Sequence, residues 1–133
     1  MKVAELMQRN VRTVGSEASI AEVVLSLADA HVSGMPVVDK GGRMIGVISA
    51  SDVLTAEAEA ESQNVGRQLL ENTSVREIMT TRPFTVAPDE DVREAARQML
   101  YADVHRLFVA EEDRLVGVVS TTDIVRAVAN GKL

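Results

Sequence analysis

Two short polar patterns in this chain have the composition of a ligand site. Ser49 is followed three residues later by Asp52, and Ser120 in the same way by Asp123. Each pattern closes an apolar run, Gly46-Val47-Ile48 or Gly117-Val118-Val119, and opens a stretch with helical spacing. At such a strand-to-helix turn the first backbone N–H groups lack an intrahelical partner and the helix dipole is positive, so phosphate can be held there. The hydroxyls of Ser49, Ser51, Ser120 and Thr122 can hydrogen-bond phosphate or ribose oxygens, and a carboxylate in the first turn can accept from both hydroxyls of a cis-diol such as ribose. Ser and Asp are also among the commonest helix caps, which alone accounts for a single pattern of this kind. Two patterns in matching frames leave both readings standing.

His105-Arg106, just before the strand Leu107-Phe108-Val109, is a second cluster. A guanidinium can take two phosphate oxygens at once and an imidazole can donate beside it. The alternative is a surface arginine in an ordinary ion pair beside a half-buried histidine. The matching residues of the first half are Ser33-Gly34, small and uncharged, so two sites built this way differ in ligand or affinity. Gly34, Gly46 and Gly117 permit close backbone approach, but no P-loop or dinucleotide glycine motif is present. His31 reads as a helix C-terminal residue with no further role. No histidines stand at metal-ligand spacing and no Ser-His-Asp set is brought together, so neither a metal site nor a catalytic residue is expected.

The elements that position these residues come in two copies. Met7, Thr13, Val14 and Glu22 recur as Met79, Thr85, Val86 and Glu94, each 72 positions later. Ser19 to Glu22 reads as a capping box, and Ile20, Val23, Val24 and Leu27 give one apolar helical face through about Ala30. Met35 to Val38 and Met44 to Ile48 are strands joined by Asp39-Lys40-Gly41-Gly42-Arg43, which is hairpin chemistry. The second copy repeats the order, with Asp91 capping a helix that has Glu94 in its first turn. Each copy is therefore strand, helix, strand, strand, helix. This predicts a mixed α/β fold of two βαββα repeats packed about a pseudo-twofold axis: residues 1–57, a linker over 58–73, and 74–133. Asn64 and Gly66 are expected to interrupt helix in the linker, where Glu57, Glu59 and Glu61 form a solvated face. Ser74 to Glu77 is a further capping box, opening a short helix that ends near Met79 and Arg82-Pro83.

A formal charge of −6 over 133 residues argues against nucleic acid as a partner, since a phosphate backbone calls for a basic stripe. Phe84, Phe108 and Tyr101 are the only aromatics, too few for a base-stacking platform. With no cysteine there is no disulfide or thiolate chemistry. No apolar run approaches the about 20 residues that span a bilayer, and the first residues lack a signal-peptide core, so a cytoplasmic protein without a membrane partner is expected.

In combination these motifs resemble a tandem pair of cystathionine β-synthase (CBS) domains, a Bateman module. The resemblance runs from about Val3 to Val128 and rests on Val32-Ser33-Gly34-Met35-Pro36-Val37-Val38-Asp39, Gly46 to Asp52 and their second-copy counterparts. Val104-His105-Arg106-Leu107 is similar to the phosphate-binding element in the regulatory γ subunit of AMP-activated protein kinase. The resemblance implies two clefts, each built from both repeats. One would join Thr13, Val32, Ser33, Gly34 and Pro36 to Val118, Ser120, Thr122 and Asp123. The other would join Thr85, Val104, His105 and Arg106 to Val47, Ser49, Ser51 and Asp52. In such clefts the aspartate takes the ribose, hydroxyls and basic residues take phosphate, and apolar groups flank adenine. Phe108 replaces Pro36 in the second copy, where its ring would either stack on the base or fill the pocket. The function implied is a non-catalytic regulatory module that binds AMP, ADP or ATP, has no obligatory cofactor, and signals to its own homodimer or to a separate effector protein. The alternatives are a dimerisation module with vestigial clefts, or another adenosyl ligand such as S-adenosylmethionine or NAD.

Overall fold

The computed structural model describes residues 1–60, 62–81 and 84–133, with the backbone alone for 63–66. Glu61 and the Arg82-Pro83 end expected for the short helix lie outside the described residues. The chain divides into two compact units, one of residues 12–83 and the other of residues 1–11 together with 84–133.

The 12–83 unit contains β1 (Val14–Gly15), α1 (Ile20–Ala30), β2 (Gly34–Val38), β3 (Met44–Ser49), α2 (Ala50–Ala58), α3 (Gln63–Asn72), α4 (Val75–Ile78) and β4 (Thr80–Thr81). The sheet order is β1-β2-β3-β4, with β1 parallel to β2 and the other pairs antiparallel. Ser19 Oγ accepts the Glu22 N–H at 3.2 Å and caps α1 as expected, but among the described residues the return bond from the Ser19 N–H to Glu22 that would complete the capping box is not made. Ile20, Val23 and Leu27 are buried along one face, while Val24, expected with them, is exposed. The helix stops at His31, whose left-handed backbone (φ 55°) returns its N–H to the carbonyls of Leu27 and Ala28. In the hairpin, Asp39 Oδ1 accepts from the N–H groups of Gly41 and Arg43, both at 2.9 Å. α3 corrects the linker reading, because helix runs through Asn64 and Gly66. Glu57 and Glu59 are exposed as expected.

The second unit contains β5 (Thr85–Val86), α5 (Val92–Ala102), β6 (Arg106–Glu111), β7 (Arg114–Ser120) and α6 (Thr121–Ala129), with a 3-10 turn over Val3–Glu5. Its sheet order is β5-β6-β7, again with a parallel pair followed by an antiparallel one. Asp103 (φ 54°) ends α5 as His31 ends α1. The hairpin differs from the first: Glu112 and Asp113 turn it with φ of 51° and 67° and without glycine. Both units thus carry the expected strand, helix, strand, strand, helix order.

Each unit is completed by the segment that precedes the other repeat in the sequence. Val3 is 0 % exposed in the core of Val86, Val92, Ala95, Met99, Leu107, Val109 and Val119. Val75, 72 residues later, is 0 % exposed in the core of Val14, Ile20, Val23, Leu27, Met35, Val37 and Ile48. Burying either side chain contributes about 1.5–3 kcal/mol. Backbone bonds repeat the docking: the N–H groups of Val3 and Ala4 donate to the carbonyls of Glu90 and Pro88, and those of Val75 and Arg76 to Ala18 and Ser16. At the sheet edge, β4 pairs Thr80 with Val47, and Gln8 pairs with Val118 in the equivalent place.

Candidate ligand-binding site

The repeated Ser and Asp residues form two reciprocal capping boxes. Ser49 Oγ accepts the Asp52 N–H at 3.1 Å, and Asp52 Oδ2 accepts the Ser49 N–H at 2.9 Å. At the other junction the distances are 3.2 Å for Ser120 Oγ and 2.9 Å for Asp123 Oδ2. The capping reading of these residues is therefore correct, and it decides what remains available to a ligand. The first N–H of α2, from Ala50, donates to the Ser33 carbonyl at 2.8 Å, and that of α6, from Thr121, to the His105 carbonyl at 2.9 Å. The third is held by the serine. Among the described residues no protein group accepts from the second, the N–H of Ser51 or Thr122. One free N–H, one exposed hydroxyl beside it and one aspartate oxygen is the set each junction offers.

That remaining oxygen, Oδ1, already has a neighbour in each case. Thr80 Oγ1 donates to Asp52 Oδ1 at 3.3 Å, and Gln8 Nε2 donates to Asp123 Oδ1 at 3.4 Å. Arg126 lies 3.6 Å from the same Asp123 oxygen. Asp123 is only 5 % exposed, and a buried carboxylate needs partners of this kind. Asp52 is half-buried. Gln8 and Thr80 escaped the sequence reading. They follow Met7 and Met79 directly and are equivalent positions, but they differ in residue type, so a comparison for repeated identities passes over them.

The repeated methionine and glycine explain each other. A Cβ on Gly117 would stand 2.7 Å from Met7 Sδ and 2.8 Å from the Gln8 carbonyl oxygen, and one on Gly46 would stand 2.7 Å from both Met79 Sδ and the Thr80 carbonyl oxygen. Glycine at these places lets the segment carrying Gln8 or Thr80 lie against the strand that leads into the box.

Within the 12–83 unit, the register pairs Gly34 with Ser49 and Pro36 with Val47, and Val32 is half-buried. Within the other, Arg106 pairs with Ser120, Phe108 with Val118, and Thr85 with Phe108. Each junction is thus adjacent in its own sheet to the small pair Ser33-Gly34 or to His105-Arg106, with its guanidinium. Thr13, Thr85, Ser33, His105 and Arg106 are exposed, Val104 is half-buried, and Pro36 and Phe108 (7 % exposed) are buried. Val104 and His105 also line a cavity of about 270 Å³ with Met99, Leu100, Ile124 and Val125. Among the described residues no group of three acidic or histidine side chains is placed to hold a metal, and no helix is long and apolar enough to cross a membrane.

The duplicated architecture has a family counterpart, the CBS domain, whose model matches residues 3–59 and again residues 75–130. The chain belongs to the CBS domain family. Its relatives include protein MJ1225 of Methanocaldococcus jannaschii, 29 % identical over 124 residues that make up 93 % of this chain and 41 % of that protein. The chain therefore spans about two-fifths of that relative's length. The solved structures that match nearly end to end include two with bound ligands. The CBS domain pair of protein MJ0100, in complex with 5′-methylthioadenosine and S-adenosyl-L-methionine, is 26 % identical with a TM-score of 0.78, covering 99 % of this chain and 98 % of that one. CBSX2 in complex with AMP is 26 % identical with a TM-score of 0.81 and the same coverage. The mixed α/β architecture with two sheets is that of a CBS domain pair.

Proposed function

We propose that this CBS pair is a non-catalytic regulatory module that binds an adenine nucleotide at the junctions headed by Ser49/Asp52 and Ser120/Asp123. The observation that carries the reading is the twice-built box itself. Each aspartate uses Oδ2 to cap its helix and keeps Oδ1, with one long side-chain bond, as an acceptor for a ribose hydroxyl. The second N–H of the helix and the Ser51 or Thr122 hydroxyl are donors for phosphate oxygens. Arg106 adds positive charge near one such group, and the His105 ring beside it can donate a hydrogen bond. The complexes of MJ0100 and CBSX2 support an adenosine-containing ligand, since AMP, 5′-methylthioadenosine and S-adenosylmethionine share the adenine ribose. The MJ0100 complex also favours a second reading, in which the ligand is S-adenosylmethionine or its methylthio product. Exposed Leu100, Tyr101, Val125 and Val128 on α5 and α6 support self-association as the output.

A thermal-shift panel of AMP, ADP, ATP, adenosine, S-adenosylmethionine, NAD and GTP tests the reading. A ligand at a hundredfold its dissociation constant stabilises by about 2.7 kcal/mol, roughly 10 °C for a chain of this size. A shift selective for adenine nucleotides supports the proposal and one for S-adenosylmethionine alone supports the second reading. A flat panel refutes both.

A further inference from the structure

We propose that Gln8 is a specificity-determining residue that guards Asp123, and that the Asp52 junction, where Thr80 stands instead, is the open site that fills first. The inference rests on the reading of both aspartates as ribose acceptors and assigns them unequal roles. The two boxes are alike to within about 0.1 Å, so at the ribose the difference lies in what faces Oδ1, while Arg106, paired with Ser120, bears on phosphate and is unchanged by any substitution at Gln8.

At Asp52 the neighbour is a hydroxyl on an exposed residue. A hydroxyl rotates freely and both donates and accepts, so Thr80 can turn from Oδ1 and accept from an arriving ligand hydroxyl without moving the chain. Among the described residues no cation is paired with Asp52, and the residue equivalent to Arg126 is Thr55.

At Asp123 the neighbour is an amide on a two-methylene stem. Its backbone is fixed on both sides, the Gln8 N–H donating to the Val118 carbonyl at 2.8 Å and the Val118 N–H to the Gln8 carbonyl at 2.9 Å. The Gln8 donor nitrogen cannot become an acceptor by rotating a proton. Asp123 is 5 % exposed and Gln8 is exposed, so a ligand hydroxyl arriving at Oδ1 meets the Gln8 amide, which must swing away or turn its carbonyl oxygen inward, and either movement loses the bond to Oδ1. Arg126 meanwhile offsets part of the carboxylate charge. Binding there trades one donor for another, so its net gain is smaller.

The test is calorimetric titration with AMP, and with 2′,3′-dideoxy-AMP as the probe lacking the diol. Asp52→Asn leaves the Asp123 site and Asp123→Asn leaves the Asp52 site, each keeping an acceptor for its cap. AMP is expected to bind the Asp123→Asn protein more tightly than the Asp52→Asn protein. Adding Gln8→Ala to Asp52→Asn raises AMP affinity about threefold to tenfold, the size of one hydrogen bond. The same change in the Asp123→Asn background, or with the dideoxy probe, gives no gain. Should Gln8→Ala melt early, Gln8→Met keeps the side-chain length while removing the donor. AMP binding that needs both aspartates yet is indifferent to Gln8, or weakened by its loss, overturns this inference alone. If neither AMP nor S-adenosylmethionine binds the wild-type chain, the ligand reading fails and this inference falls with it.

Discussion

Replacing Gly117 by alanine puts a methyl group where the chain has no room for one. The new Cβ would lie 2.7 Å from Met7 Sδ, 3.0 Å from Met7 Cγ and 2.8 Å from the carbonyl oxygen of Gln8. The sulfur is near the end of a flexible side chain and can move. The carbonyl cannot, because it accepts the Val118 N–H at 2.9 Å in the pairing that fixes residues 1–11 to β7. Relief therefore requires the segment to shift from the strand edge, lengthening the two Gln8–Val118 bonds and loosening Val3 in its core. Overpacking of this kind costs about 1–3 kcal/mol, and the backbone partner puts Gly117→Ala in the upper half of that range. For a chain of this length about 2 kcal/mol lowers Tm by roughly 6–10 °C. The assay is a thermal and urea melt beside Gly15→Ala, where an added Cβ meets nothing within 4 Å and stability is expected to stay within about 0.5 kcal/mol. Adding Met7→Ala removes the sulfur contact but leaves the carbonyl, so rescue is partial at most. If Gly117→Ala melts with Gly15→Ala, the close approach is not what holds glycine at this position.

Ser120→Ala removes the acceptor of the Asp123 N–H and is expected to lower stability by about 1 kcal/mol, read as a fall in urea midpoint at unchanged slope; an unchanged midpoint would show that the box does not stabilise α6. Asp91 caps α5 by accepting the Arg93 N–H at 2.7 Å, and this bond chiefly holds its carboxyl below the ordinary value. A lowered folded-state pKa means stability that is present above the unfolded value and lost as pH falls through the folded one. Wild type should thus melt above Asp91→Asn at neutral pH, with the gap closing in acid, and a gap that widens in acid would reverse the assigned sign.

The features legible in the sequence are those that local chemistry dictates. Ser19, Asp91 and His31 mark the helix ends where they were expected, because capping involves only neighbours. Asp39 and its glycines likewise specify a hairpin. Long-range docking was invisible. Nothing near Met7 indicates that its sulfur lies on Gly117, or that Gln8 reaches Asp123 across 115 positions. α3 fails the local test for a related reason. Gly66 costs a helix about 1 kcal/mol, but Leu70 packs on the core around Ile20, and tertiary contact outweighs propensity. Ser49/Asp52 and Ser120/Asp123 show a different limit: capping and ligand binding looked like alternatives, yet an aspartate has two oxygens and the cap occupies one.

The traded segments carry a message about descent. A single-repeat chain built on the same plan would lend its leading valine to a partner's core and take the partner's valine into its own. Reciprocal exchange of this kind needs a partner at sufficient concentration. Joining the copies head to tail makes the exchange intramolecular, with an effective concentration set by the tether rather than by expression. Once fused, the copies are also free to diverge, since each position now exists in two independently mutable versions. Gln8 beside Asp123 and Thr80 beside Asp52 are the kind of asymmetry that a symmetric pair of identical chains could never have acquired.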